Sequence, residues 1–289
     1  MTALIKKEIR AYFTSFTGYI FLAGFIFLMG LFFYMFNIAA SQASFVQTLS
    51  NPSTFIAFLI LMPILTMQLF TEETKQHTDQ LLYTAPITIT QIVIGKYIGA
   101  LLLFLTGIIV TLVFPVIISF YAPVSFSETF GAYLGFVLVG ASFISVGMLS
   151  ACLTNNTIVA AIGAFSALFL IYVLDAIAVL MPTDRFSSAV FLIVIVFCAV
   201  FIIYDATKNI IAALIFGFAA IITGVIIYQI NPVFYDATIL RILNWFSVLR
   251  RFRAFSLGIF AVSDMVYYLA FCTAFIYLTI NTIEKRRWK

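Results

Sequence analysis

The chain has 289 residues, 64% of them hydrophobic and only 9% charged, with 34 Phe and a formal net charge of +4. So few charged side chains cannot cover a water-soluble body of this size, so the surface must face lipid. The same arithmetic excludes a disordered chain, a nucleic-acid binder, a disulfide scaffold and a soluble catalytic domain.

In chain order, Leu4, Ile5, Ile9, Tyr12, Phe13 and Phe16 recur at helical spacing, with Lys6, Lys7 and Arg10 on the other face. This predicts an interfacial helix over residues 1–16, its apolar side in the inner leaflet and its basic side on anionic headgroups of the membrane lipids. The alternative is a charged start that only fixes topology. No small-residue cleavage site follows the first apolar run, so the segment is expected to be retained. Crossing the hydrocarbon core takes roughly 20 residues, and such runs fall at 17–38, 53–71, 97–120, 131–153, 157–180, 189–204, 210–229 and 264–282. The sixth is short and the seventh follows closely, so 189–229 reads either as two spans or as a re-entrant hairpin. The expected fold class is all-α: a polytopic membrane protein with six to eight transmembrane helices. Most basic residues, among them Lys75, Lys96, Lys208 and the C-terminal KRRWK, fall inside if both termini are cytoplasmic in a bacterial inner membrane.

The only sizeable cytoplasmic loop in that topology is 71–96, expected to be a short coupling helix and a turn. Glu72 and Glu73 suit a helix N-terminus, Leu81 and Leu82 end the segment on an apolar note, and Pro86 breaks it. Thr88 with Gln91 has the pattern of a capping box opening the next long helix. Such a stiff knob can pass a push from a partner into the membrane; the plain alternative is an ordinary connector. Gly95 and Gly99, then Gly131 and Gly135, stand at the four-residue spacing that lets helices approach closely. Pro63 and Pro115 fall inside spans and predict kinks. Cys152, Cys198 and Cys272 read as small core residues. Ile239, Ile242, Leu243, Phe246, Leu249 and Phe252 form one apolar stripe, predicting an extracytoplasmic amphipathic helix over 236–258. Asp264 is expected to cap the last helix.

Little chemistry is on offer inside the spans. An ion-driven carrier holds several charges at mid-membrane; here Asp175 is the one candidate for a substrate path. His77 is the only histidine and has no metal-ligand company. The single Gly-Lys pair, Gly95 and Lys96, has Thr90 and Tyr97 where a phosphate-binding loop needs Gly and Ser or Thr. The chain therefore reads as a non-enzyme without a cofactor of its own. Active transport would draw its energy from another polypeptide, with 71–96 as the docking point.

Three separated stretches carry a family resemblance: KKEIRAYFTSFTGYIFLAGFIFLMGLFFY from Lys6, MPILTMQLFTEETKQHTDQLLYTAPITITQIVIGKYIGALL from Met62, and LRRFRAFSLGIFAVSDMVYYLAFCTAFIYLT from Leu249. Together they resemble the export-type (type-2) permeases of ABC transporters, in particular the gliding-motility-associated permease family. Residues 181–235 depart from that pattern by an inserted hydrophobic hairpin, 189–229. The resemblance implies one transmembrane permease domain over 1–289 that pairs with a second copy or a related permease. It also implies two ATP-binding-cassette ATPase subunits, which carry ATP and Mg. Their expected contact is Glu72, Glu73, Gln80, Leu81 and Leu82, with Pro86 fixing the turn and the N-terminal helix contributing. An auxiliary membrane-anchored extracytoplasmic subunit is a further implied partner. The other readings are a mechanotransmission subunit without solute transport and a membrane scaffold.

Overall fold

The computed structural model describes residues 2–75, 88–181, 184–208, 210–230 and 238–287. Among these residues the chain is helical and has no strand. Among the described residues six helical segments are long and apolar enough to cross a membrane: Phe16–Ala39, Pro52–Lys75, Ile89–Ser119, Phe126–Leu153, Thr157–Ala178 and Val262–Lys285. The chain is thus a multi-pass, all-α membrane protein. It divides into two compact units, one of Met1–Ile171 with Arg251–Lys289, the other of Tyr172–Arg250.

The first unit opens with α1 (Thr2–Thr14), which ends where Ser15 caps α2 (Phe16–Phe32) by accepting the Gly18 N–H at 3.1 Å. A Cβ on Gly18 would stand 2.1 Å from the Tyr12 carbonyl oxygen, so only glycine allows this tight turn. After α2 the backbone widens into a π-helical stretch, Phe33–Ala39. Asn37 then fixes the loop that follows, donating to the Gln42 and Ser44 carbonyls and accepting from Thr48. Next come α3 (Phe45–Ser50) and α4 (Pro52–Thr66), the latter capped by Asn51 with Pro at its first position. A break at Met67, four residues after Pro63, separates α4 from α5 (Gln68–Lys75).

The expected capping box is present: Thr88 and Gln91 exchange hydrogen bonds of 3.3 Å at the start of α6 (Ile89–Thr111). Pro115 lies in α7 (Val113–Ser119) and has no N–H for the Thr111 carbonyl, so the long helix breaks at Leu112. The freed carbonyl accepts instead from the Tyr133 hydroxyl at 2.9 Å, on α8 (Phe126–Leu153). Two further long helices are α9 (Thr157–Leu180), which runs on into the second unit, and the last helix of the chain, Val262–Arg287.

Phenylalanine builds the core of this unit. Phe25, Phe58, Phe104, Phe136 and Phe143 are fully buried, with ring centroids 4.5 Å apart for Phe58–Phe136 and 5.6 Å for Phe58–Phe104. The helices come close because glycines face those rings: a Cβ on Gly140 would lie 2.2 Å from Phe104 and one on Gly107 would lie 2.8 Å from Phe25.

The second unit holds the rest of α9 and then α10 (Arg185–Thr207), α11 (Ile210–Ile230) and α12 (Thr238–Phe246). Asp184 caps α10 through the Ser187 backbone N–H and hydroxyl, both 3.0 Å away. This cap starts the helix well before residue 189, so the sixth apolar run, short in the sequence, lies in a helix of 23 residues. α10 and α11 pack against each other as a hairpin, with Lys208 in the left-handed region (φ 53°) at its turn.

The segment expected as one amphipathic helix over 236–258 is two helices, α12 and α13 (Val248–Ser256). Ser247 divides them, its hydroxyl accepting the Arg250 N–H at 3.0 Å as an N-cap. The last helix of the chain is α14 (Val262–Arg287). Of the cysteines, Cys152 and Cys272 are buried as expected, whereas Cys198 is exposed.

Candidate functional site

The densest cluster of charge in the described residues is where α1 lies along α6 within the first unit. Leu4, Glu8 and Tyr12, spaced four apart, share one face of α1 and are all buried. Opposite them stand Gly95 and Gly99: a Cβ on Gly95 would meet Leu4 at 2.8 Å, and one on Gly99 would meet the Glu8 Cβ at 3.0 Å. The glycine pair therefore opens the groove in which α1 lies. Phe13 on α1 is exposed, as is Phe16, which was expected on the same helix but opens α2 because Ser15 caps that helix.

Lys96 lies between those glycines with its side chain only 3% exposed. Its Nζ is 2.8 Å from Glu73 Oε2 on α5 and 3.5 Å from Glu8 Oε1 on α1, and 5.4 Å from the centroid of the Phe70 ring. Lys7 lies 3.2 Å from Glu73 Oε1 and 3.8 Å from Glu8. A buried ammonium is tolerated only where charged partners replace its water, and these partners come from α1 and α5. Three elements, α1, α5 and α6, are in this way tied by one buried ion network. Tyr12 adds to it, its hydroxyl donating to the Leu65 carbonyl at 3.4 Å. Burial first, and then the carboxylates of Glu8, Glu72 and Glu73, push that hydroxyl far above the ordinary tyrosine range. On its far side α5 is fixed again: Lys75 donates to the Thr157 hydroxyl at 3.0 Å, and Thr157 donates to Thr71 at 3.3 Å.

Several residues singled out by the sequence meet here and others do not. Glu73, Lys7, Gly95 and Gly99 belong to the network, and Glu72 is exposed beside it. Lys6 and Arg10 are exposed on the outer face of α1. Glu72 and Glu73 were expected at a helix N-terminus but sit in the second half of α5, because the break at Met67 starts that helix at Gln68. Gln80, Leu81, Leu82 and Pro86, like His77, lie outside the described residues.

Gly131 and Gly135 serve another contact, where a Cβ would meet the Phe255 carbonyl at 2.4 Å and the Phe255 Cβ at 2.7 Å. Nearby, Asp264 pairs with Arg251 at 2.7 Å, and the Arg251 guanidinium lies 3.9 Å from the centre of the Tyr267 ring. Asp175 is half-buried on the part of α9 that belongs to the second unit.

Glu8 and Lys96 are the residues the sequence reading passed over. Their signal was faint but present: Glu8 falls on the Leu4–Tyr12 face rather than on the basic face, and Lys96 interrupts a pair of glycines. Among the described residues no three His, Cys, Asp or Glu side chains come together to hold a metal ion. The arrangement ties α1, α5 and α6 to one another through ion pairs. No protein-family profile matches the chain, and no curated protein matches it.

Proposed function

We propose that this chain is the membrane-spanning permease subunit of an export-type ATP-binding-cassette system, exporting a substrate or passing ATP-driven movement to an extracytoplasmic partner. In this reading α1, α5 and the start of α6 form the end that meets a cytoplasmic ATPase. Both chain termini lie in the cytoplasm of a bacterial inner membrane. ATP and Mg sit on the ATPase subunits, and a second permease copy or a related permease completes the transporter.

The observation that carries the reading is the ion network of Glu8, Lys96, Glu73 and Lys7. It clamps the two helices that flank residues 76–87 to each other and to the amphipathic α1. A push on that segment cannot be absorbed by one helix alone. It must move α5 and α6 together, and α6 runs on as one of the six long apolar segments. A linker that merely joined two spans would have no need of a buried lysine with two carboxylate partners. The resemblance of Met62–Leu102 to the permease family's coupling region supports the same assignment from the sequence side.

The test is a mild-detergent affinity purification of the tagged chain from its own host, with mass spectrometry of the proteins retained. An ATP-binding-cassette subunit should be recovered with the wild type and lost with Leu81→Asp plus Leu82→Asp, while the variant still inserts into the membrane. An intact oligomer without any such ATPase would overturn the assignment and leave the scaffold reading in its place.

A further inference from the structure

The last helix packs with one face and leaves the other uncovered. Tyr268, Cys272, Thr279 and Ile283 of α14 are buried, and the helix lies against α8 and α6 within the first unit. Its opposite face is unlike the other lipid-facing helices of that unit. Where α2 exposes Phe27 and Leu31 and α9 exposes Ile162 and Phe165, α14 exposes Ala270, Ala274 and Tyr277 in one stripe, which the half-buried Asn281 continues. Lipid chains gain nothing from small or hydrogen-bonding side chains; a second helix gains from both, because small residues let backbones approach and polar ones bridge. Tyr277 is 62% exposed, and among the described residues neither its hydroxyl nor the Asn281 amide makes a hydrogen bond. Tyr277 stands about 12 Å along the helix from Lys285, where the span ends. Its side chain leans toward the helix N-terminus, away from that end, so the hydroxyl is held in the hydrocarbon layer, where it needs a partner.

We propose that this stripe is where a second copy of the chain docks, α14 against α14, about a two-fold axis along the membrane normal. Copies inserted the same way up pack these helices parallel, and each flank of one helix then faces the opposite flank of the other. Glu284 and Lys285, both exposed, stand on opposite flanks of the stripe, so the Glu284 of each copy faces the Lys285 of the other. One turn deeper, the Asn281 carboxamide has the acceptor that the Tyr277 hydroxyl lacks, and the two meet across the axis. A foreign helix would have to match this order of donor, acceptor and charge; the chain's own α14 matches it by symmetry, which commits the surface to a second copy. The inference deepens the permease reading, on which it rests for the expectation of paired chains, but its test involves no ATPase.

The test is disulfide crosslinking of the full-length chain in its native membranes, with Cys198 changed to Ser and the buried Cys152 and Cys272 kept. Ala274→Cys, at an exposed small site, should give a covalent dimer on mild oxidation, and Phe27→Cys, exposed midway along the first span, should not. Self-association in liposomes, followed by energy transfer between labelled copies, should weaken about tenfold in Tyr277→Phe, which removes the hydrogen bonds across the axis and keeps an exposed ring that does not threaten folding. Absence of a dimer through Ala274, a dimer through Phe27 in its place, or unchanged association in Tyr277→Phe overturns the inference. An Ala274 adduct to a different protein overturns the second copy as the occupant. An ATPase subunit recovered with a chain that gives no Ala274 dimer removes this surface alone and leaves the permease reading standing.

Discussion

Replacing Lys96 by Met keeps most of the unbranched side chain and removes the ammonium group, leaving Glu8 buried with Lys7 as its nearest cation at 3.8 Å. Taking one partner from a buried ion pair costs about 3–5 kcal/mol. Glu73 is 18% exposed and keeps Lys7 at 3.2 Å, so the lower end, about 3 kcal/mol, is expected for Lys96→Met. Glu8→Leu should cost less, about 1 kcal/mol, because Lys96 retains Glu73 at 2.8 Å. The double variant, with an apolar pair in place of the charges, should recover about 2 kcal/mol of the loss in Lys96→Met. Unfolding in detergent can be followed with a thiol-reactive fluorophore, since Cys152 and Cys272 are buried; the exposed Cys198 is first changed to Ser. A loss under about 1 kcal/mol for Lys96→Met, or a double variant weaker than either single one, would refute the clamp.

Gly140→Ala drives a Cβ to 2.2 Å from the buried Phe104 ring and should destabilise by about 1–3 kcal/mol, whereas Gly30→Ala, whose nearest neighbour is 3.9 Å away, should be neutral or mildly stabilising in the same assay. Tyr133→Phe removes the donor to the Thr111 carbonyl and should cost about 1 kcal/mol; in a Pro115→Ala background, where a backbone N–H is restored, the cost should shrink. Because Tyr12 keeps its proton in the fold at pH values where the unfolded chain loses it, stability should fall as pH climbs above the usual tyrosine value of 10.0. Tyr12→Phe should flatten that fall in circular-dichroism melts, and an unchanged slope would remove Tyr12 as its cause.

The apolar runs and the Thr88–Gln91 capping box were legible because they are local. Ser15 and Asn51 are caps the sequence reading did not single out, and Asp264, expected to cap the last helix, lies in its first turn and pairs with Arg251 instead. The break at Leu112 could be anticipated from Pro115, but the Tyr133 hydroxyl that makes it tolerable comes from another helix and has no local signature. Ser247 was hidden for a different reason: the apolar stripe runs unbroken across it, so periodicity reported one helix where a cap divides two. The ion network was the least visible. Glu8 and Lys96 are far apart in sequence, each looks like an ordinary charge near a membrane surface, and only the docking of α1 into the Gly95–Gly99 groove joins them. Phenylalanine was ambiguous for a related reason, since a ring suits lipid and core equally; Phe104 and Phe136 are buried while Phe120 and Phe126 are exposed.

The most direct measurement is site-specific photocrosslinking in living cells, with a photoreactive residue placed at Leu82, at Lys6 on the exposed face of α1, or at Tyr121 in the loop after α7. An ATP-binding-cassette subunit should crosslink to the first two positions and not to the third. Adducts to such a subunit from Tyr121, or none from Leu82 and Lys6 in cells where the protein is intact, would contradict a docking end built from α1, α5 and α6.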